Sequence, residues 1–175
     1  QCGSGQQAMH FAAQGVLSGT QNLVIAGGVE SMSQVPIGAS IIDGFKAEHG
    51  VPDGKKLSGR YPGVRFDQFA GAEMLARKYE LTQEELNAFP LDSHVKAKRA
   101  VQEGRFKNEI VPIEIELEDG SRELHIQDEG IRMEATLGAI AGLQPLQENG
   151  LLTAANASQI CDGAAAVMIA NGATC

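Results

Sequence analysis

The segment at the start of the chain carries the residues best suited to covalent chemistry. Cys2 stands in Gln1-Cys2-Gly3-Ser4-Gly5 and is followed at once by a helical pattern. A thiol at a helix N-terminus lies near unpaired backbone amides and the positive end of the helix dipole, which stabilise an anion. The glycines let the backbone approach a substrate and place an amide against an oxyanion. The pattern predicts an acyl-transferring nucleophile, although a cysteine beside glycines could equally be a small buried apolar residue.

The other cysteines and the histidines show no comparable pattern. Cys2, Cys161 and Cys175 have wide, unpatterned spacing, which indicates neither a disulfide framework nor a zinc site. We therefore expect no metal, and we interpret Cys161 and Cys175 as bystanders. The four histidines lie outside any catalytic motif and are expected to be ordinary surface or helix residues.

Apolar runs near both ends of the chain predict the elements that must position Cys2. Residues 6–17 leave almost no polar face, which predicts a helix packed on every side. Leu23–Ala26 and Ala164–Ala170 have the length of strands buried on both faces. No run approaches the roughly 18 apolar residues of a membrane span. These elements predict one step of a layered α/β domain.

The middle of the chain predicts a mixed region. Glycines and prolines punctuate residues 36–63, which we predict to be irregular, and a helix is predicted over Phe69–Tyr79. Alternating residues in 110–117 and 124–126 predict a β-hairpin.

A capping box marks the start of the longest predicted helix. Thr82 and Glu85 have the spacing at which each side chain bonds the other residue's amide. Pro90 lies inside this helix and should bend or divide it, because proline removes a backbone donor.

The charge balance bears on possible partners. The chain has 14 Lys+Arg against 22 Asp+Glu, a formal charge of −8. Nucleic acid binding depends on clustered cations, so we expect no nucleic acid partner. We also expect no membrane partner.

Three parts of the chain resemble motifs of the thiolase family, in the family's order. They are Gln1-Cys2-Gly3-Ser4-Gly5, Gly27-Gly28-Val29-Glu30-Ser31-Met32-Ser33, and Thr153-Ala154-Ala155-Asn156-Ala157-Ser158 followed by Asp162-Gly163-Ala164-Ala165-Ala166. Residues 104–112 and 128–137 are similar to thiolase segments as well, so the resemblance covers essentially the whole chain.

The resemblance implies an α/β fold, namely part of a thiolase-like layered α/β/α domain with an inserted α+β loop domain. Residues 1–32 would belong to the N-terminal domain, 33–160 to the inserted loop domain, and 161–175 to the return into the N-terminal domain. The loop domain would bind coenzyme A and make oligomer contacts. The complete protein is expected to be a homodimer or homotetramer.

The resemblance also implies the site residues. Cys2 would be the nucleophile, and Arg132 would lie beside the nucleotide end of coenzyme A. Ser158 would hydrogen-bond the pantetheine arm, and Ala154 would line the same tunnel. Two alternatives remain open: Arg132 could be a solvated residue paired with a nearby glutamate, and Ser158 could cap a short helix.

The implied activity is that of an acyl-CoA C-acyltransferase. A cysteine acyl-enzyme would cleave 3-ketoacyl-CoA or condense acetyl-CoA, with acyl-CoA and coenzyme A as substrates and no cofactor. Residues 67–73 depart from the His-Met-Gly-x-Thr-Ala-Glu pattern of short-chain biosynthetic thiolases, which favours a degradative enzyme of broader chain length. The alternative is a noncatalytic coenzyme A-binding or assembly module.

Other thiolase segments do not occur in the sequence. The family completes its site with Asn-Glu-Ala-Phe, Gly-His-Pro and Cys-x-Gly-Gly segments, which supply a histidine and a second cysteine. We interpret the chain, which lacks an initial Met, as a piece without the C-terminal domain and inactive by itself. A cytoplasmic bacterial location is expected, with mitochondrial or peroxisomal locations left open.

Overall fold

The computed structural model describes residues 2–50, 52–64 and 66–174. It divides into two compact units: unit 1 comprises residues 1–54 and 160–175, and unit 2 comprises 55–159. This division assigns residues 33–54 to unit 1. The limits of the inserted loop domain, 33–160, remain a prediction, because compactness alone does not define a functional domain.

The described chain contains both helices and strands, with four successive helices between the first strand and the hairpin. In order they are α1 Ser4–Leu17, β1 Leu23–Ser31, α2 Ala39–Lys46, α3 Lys55–Arg60, α4 Gln68–Lys78, α5 Gln83–Gln102, β2 Ile113–Glu116, β3 Arg122–His125, α6 Leu137–Ala141, a 3₁₀ helix Ala154–Asn156, and β4 Asp162–Ala170. No described helix combines the length and apolar character needed to cross a bilayer.

In unit 1 the two strands predicted near the ends of the chain pair with each other. β1 and β4 form an antiparallel ladder in which Leu23 lies opposite Ala170 and Ser31 lies opposite Asp162. The glycines of β1 face the alanines of β4. A Cβ added at Gly27 would lie 3.1 Å from the carbonyl oxygen of Ala165. Small residues therefore let the strands approach, and the two thiolase-like segments that contain them share one ladder.

The predicted burial of these elements is wrong for the described structure. Phe11 and Leu17 of α1 are 64% and 87% exposed, and Val29 of β1 is 80% exposed. Ala12 and Ala26 are the buried apolar residues of unit 1 among those described. One long helix on a two-stranded sheet leaves most of both surfaces uncovered.

Unit 2 contains the helices and the hairpin predicted for the middle of the chain. α4 begins after Asp67, whose carboxylate accepts from the amide of Ala70 at 2.8 Å. The capping box of Thr82 and Glu85 is present, and the Thr82 amide and hydroxyl hold the pKa of the Glu85 carboxyl below its ordinary value. α5 continues through Pro90 without dividing.

Two elements differ from the expectation of an irregular segment at 36–63. α2 and α3 are short helices within it. α2 follows Gly38, whose φ of 85° is in the left-handed region that glycine adopts without strain. The hairpin of β2 and β3 is confirmed, with Ile113 opposite His125.

Candidate functional site

Cys2 lies immediately before the N-cap residue of α1. Its side chain is exposed, and its backbone has a φ of 56°, in the left-handed region that non-glycine residues rarely occupy. The N-cap, Gly3, supplies no side-chain hydrogen bond, and the first turn of α1 has no acidic residue. Amides in that turn therefore remain available to an anion. A strained, exposed thiol beside a helix N-terminus suits a nucleophile.

The thiol of Cys161 is also exposed but has a different backbone setting. It lies just before β4 rather than at a helix N-terminus. Cys161 therefore lacks the helix N-terminus that follows Cys2. Cys175, like Gln1, lies outside the described residues.

Asp162 connects the end of β1 to the start of β4. Its carboxylate accepts from the Ser33 hydroxyl, from the Ser33 amide at 2.9 Å, and from the Ser31 hydroxyl at 3.2 Å. These bonds, that of the Ser33 hydroxyl first, hold the pKa of Asp162 below its ordinary value. The two thiolase-like segments at the strand ends are thus joined through side chains as well as through the ladder.

In unit 2, Ser158 lies on the wall of a cavity of about 190 Å³. The cavity is lined by Gln68, Phe69, Ala72, Leu146, Leu152, Asn156, Ala157 and Ser158. It is smaller than the roughly 300–1,000 Å³ of a site for a drug-sized ligand, so it would hold only part of a long molecule. Gln68 and Phe69 belong to the segment that departs from the short-chain thiolase pattern.

A capping box shapes the chain just before Ser158. The side chain of Asn156 accepts from the amide of Thr153 at 3.0 Å, and Thr153 accepts from the amide of Ala155 at 3.3 Å. Ala154 is exposed on this 3₁₀ turn. Ser158 follows the turn in irregular chain that leads to β4 rather than to a helix, so the structure does not support the alternative that it caps a helix.

Glu73 holds the residues that come just before this 3₁₀ turn. It is 7% exposed, and its Oε1 accepts from the amides of Leu151 and Leu152 at 2.7 and 2.9 Å. A Cβ added at Gly150 would lie 2.7 Å from that same oxygen. α4 therefore holds the 150–152 turn through one buried carboxylate, and the turn requires glycine.

Arg132 lies on a loop whose backbone is hydrogen-bonded to two side chains of α5. Its backbone amide donates to Nδ1 of His94 at 3.2 Å, and Lys98 donates to the carbonyl of Met133 at 2.7 Å. Glu134 lies 3.6 Å from Lys98. Within residues 2–50, 52–64 and 66–174, the exposed guanidinium of Arg132 has no ion-pair partner, which leaves it available to a ligand.

The structure places the predicted residues in both units. Cys2 belongs to unit 1, whereas Arg132, Ala154 and Ser158 belong to unit 2. Across the described residues, no group of three or more His, Cys, Asp or Glu side chains could hold a metal ion.

Three supporting residues were missed from the sequence: Glu73, His94 and Asn156. Glu73 could have been noticed as the one acidic residue within the apolar pattern of α4, and Asn156 by its capping-box spacing from Thr153. His94 had no local signal.

Comparisons with known proteins agree with the resemblance. The family model described as Thiolase, N-terminal domain matches residues 1–173. The steroid 3-ketoacyl-CoA thiolase FadA6 of Mycobacterium tuberculosis is 44% identical over 173 residues, which cover 98% of this chain and 41% of that protein. An acetyl-CoA acetyltransferase of Rhizobium meliloti is 39% identical over 175 residues, which cover 96% of this chain and 43% of that protein.

Solved structures show the same relationship. The acetyl-CoA acetyltransferase of Syntrophomonas wolfei has a TM-score of 0.73 at 35% identity, with 99% of this chain and 44% of that chain covered. The human mitochondrial 3-ketoacyl-CoA thiolase has a TM-score of 0.74 at 30% identity, with 99% and 45% covered. These likenesses confirm the thiolase-like α/β fold class. The chain spans less than half the length of these relatives.

Proposed function

The chain belongs to the thiolase family, and we propose that it supplies the nucleophile and part of the coenzyme A site of an acyl-CoA C-acyltransferase. Relatives that carry both 3-ketoacyl-CoA thiolase and acetyl-CoA acetyltransferase names support this activity. The observation that carries the proposal is the position of Cys2, exposed and in a left-handed conformation before the uncapped first turn of α1.

In the proposed cleavage, the thiolate of Cys2 attacks the C3 carbonyl carbon of a 3-ketoacyl-CoA. The C2–C3 bond breaks, its electron pair stays on C2, and protonation there by an acid of the complete enzyme gives acetyl-CoA. The acyl group remains on Sγ as a thioester. The thiolate of free coenzyme A then attacks that thioester, forms acyl-CoA and returns Cys2. Dividing the reaction between two acyl transfers lowers each barrier.

Unit 2 would hold the coenzyme A part of the substrate. Ser158 lies on the cavity wall, where its hydroxyl can bond an amide of the pantetheine arm. Ala154 is exposed on the adjoining 3₁₀ turn, outside the described lining of the cavity, and its small side chain would leave room for the arm there. Arg132 has an exposed guanidinium that can stack on adenine and pair with phosphate. These contacts are remote from the reacting carbon and would contribute binding rather than chemistry.

The cavity wall supports a substrate longer than acetoacetyl-CoA. Asp67 and Gln68 lie where the short-chain pattern has histidine and methionine, and Phe69 lies where it has glycine. Gln68 and Phe69 both line the cavity. We therefore expect 3-ketoacyl-CoA substrates of medium or greater length to have higher kcat/KM than acetoacetyl-CoA. A chain-length series measured under identical conditions tests this expectation.

Trapping the acyl-enzyme tests the proposed function. The full-length protein that carries this chain is incubated with acetyl-CoA, quenched in acid and mapped by peptide mass spectrometry. We expect the acetyl group on the Cys2 peptide, its loss in Cys2→Ala, and its retention in the matched control Cys161→Ala. Label that does not depend on Cys2, or thiolysis that persists in Cys2→Ala, would contradict the proposal.

A further inference from the structure

The proline inside α5 leaves a backbone acceptor without its usual donor. In an α-helix the amide of residue 90 would donate to the carbonyl of Leu86, four residues earlier. Pro90 has no N–H and cannot make this bond. Instead, Nδ2 of Asn156 donates to the Leu86 carbonyl at 2.7 Å. A residue 70 positions along the chain thus replaces the missing helical donor.

The side-chain oxygen of Asn156 is also hydrogen-bonded. Its Oδ1 accepts from the amide of Thr153 at 3.0 Å and lies 3.3 Å from the Thr153 hydroxyl. The nitrogen faces a carbonyl and the oxygen faces an N–H, so only one orientation of the amide satisfies both partners. Asn156 therefore closes its own 3₁₀ turn and attaches that turn to α5.

The attachment lies within the packed part of unit 2. Pro90 is buried, Thr153 is 3% exposed, and Asn156 is half-buried. Gln83, one turn before Leu86, adds a second link by donating to the carbonyl of Leu151 at 3.1 Å. A carbonyl without a donor at such a place is costly, and Asn156 removes that cost.

The attached turn leads directly to the wall of the cavity. Asn156, Ala157 and Ser158 line it in succession. Three consecutive residues of backbone allow little displacement of Ser158 relative to Asn156. Because Asn156 is bonded to the Leu86 carbonyl, that carbonyl also determines the position of Ser158 on the cavity wall.

We propose that Pro90 and Asn156 form a positioning pair for the pantetheine-binding serine: the proline frees the Leu86 carbonyl, and the bond from Asn156 to that carbonyl sets where Ser158 stands. This inference rests on the proposed function, in which Ser158 binds the pantetheine arm. Neither Pro90 nor Asn156 is assigned a part in the chemistry.

Two variants at position 156 distinguish the contribution of the side-chain nitrogen, which bonds Leu86, from that of the side-chain oxygen, which bonds Thr153. Asn156→Asp is nearly isosteric, and its carboxylate still accepts from Thr153 but cannot donate to Leu86. Asn156→Ala loses both ends. In the full-length protein we expect each to raise the KM for pantetheine and coenzyme A thioesters on the order of tenfold, with kcat changed by less than about threefold.

Substitution of the proline separates folding from positioning. In Pro90→Ala/Asn156→Ala, the new backbone amide at position 90 satisfies the Leu86 carbonyl, so we expect the melting temperature to recover toward that of the parent protein. The KM should stay raised, because Ser158 has lost its attachment. In Pro90→Ala alone, the amide competes with Asn156 for the carbonyl, and we expect KM to rise about two- to threefold.

Ser158→Ala tests the premise separately. An unchanged KM in Ser158→Ala would remove the assigned role of Ser158 and with it the proposed coenzyme A site. If Ser158→Ala raises KM but the double variant has the parent KM, Asn156 serves folding only, and the positioning inference fails. The inference also fails if Pro90→Ala leaves KM unchanged, since the proline would then have no part in placing Ser158, or if the double variant does not fold.

Discussion

The two units of the molecule are held together in different ways. Unit 1 depends on a continuous backbone ladder, nine residue pairs between β1 and β4. Unit 2 depends on single side chains that reach the backbone of distant segments, such as Glu73 to Leu151 and Asn156 to Leu86, which are 78 and 70 residues apart. A ladder spreads its stability over many bonds, whereas a single side chain concentrates it. Loss of one connecting side chain should therefore lower stability more in unit 2 than in unit 1.

Substitution of Cys2 should give the largest effect. Cys2→Ala in the full-length protein removes the thiol that we propose to carry the acyl group, and we expect kcat to fall by about 10⁴-fold or more. The melting temperature should hardly change, because the Cys2 side chain is exposed and lies outside the ladder. Steady-state thiolysis and differential scanning calorimetry on Cys2→Ala and Cys161→Ala measure the two quantities. A marked loss of stability in Cys2→Ala would break the contrast between the units.

The next largest effect is expected at Glu73 in unit 2, where substitution should lower the stability of the protein. Glu73→Ala leaves the part-buried amide of Leu151 and the buried amide of Leu152 without an acceptor, and we expect it to lower the free energy of unfolding by about 2–4 kcal/mol. Glu73→Gln keeps a neutral acceptor and should cost less. Urea unfolding compares both with Glu148→Ala, which removes an exposed carboxylate from the same turn. Equal stabilities of Glu73→Ala and Glu148→Ala would show that the attachment contributes nothing.

Arg132 should affect binding without affecting either chemistry or folding. Arg132→Ala is expected to raise the KM for coenzyme A substrates about tenfold with kcat nearly intact, because remote binding is lost equally from the ground state and the transition state. Short pantetheine thioesters lack the nucleotide and should show no change. Arg99→Ala, an exposed arginine of α5, is the control. Equal losses toward both substrate types would reject the nucleotide assignment.

The smallest effect is a dependence on pH in unit 1. The Ser33 hydroxyl and amide hold the pKa of Asp162 below its ordinary value, so the folded state favours the carboxylate. The stabilisation is therefore complete above the unfolded carboxyl pKa of about 3.9 and is lost as the pH falls through the lower folded value. Hydrogen-exchange protection of the Ser33 amide should decrease in that range. Asp162→Asn should show weaker protection at neutral pH and no such decrease.

Local patterns predicted much of the fold because their causes are local. The capping box of Thr82 and Glu85 and the hairpin of β2 and β3 depend on residues close in sequence, and both are present. α2 was missed because glycines and prolines around it resemble those of loops. The predicted burial of β1 and β4 failed because an apolar run shows a preference for burial but does not supply the covering layer.

The supporting contacts of the site could not be predicted in the same way. Asp162 and Ser33 are 129 residues apart, and Asn156 and Leu86 are 70 apart. Each pair meets only after the chain has folded, and no spacing in the sequence specifies it. The position of Cys2 before a helix was predictable because that helix follows directly in sequence. Arg132, Ala154 and Ser158 were named through family resemblance, and the roles of all four residues remain proposals.

The ladder of unit 1 also sets an order of events during synthesis. Ser31 at the end of β1 and Asp162 at the start of β4 are separated by 131 residues, and the whole of unit 2 is translated between them. At about 5–20 residues per second, β1 waits on the order of 10 seconds for its partner strand. During that interval a contiguous unit 2 can fold, which shortens the loop that the ladder must close. β1, with its exposed Ile25 and Val29, is therefore made early and paired late.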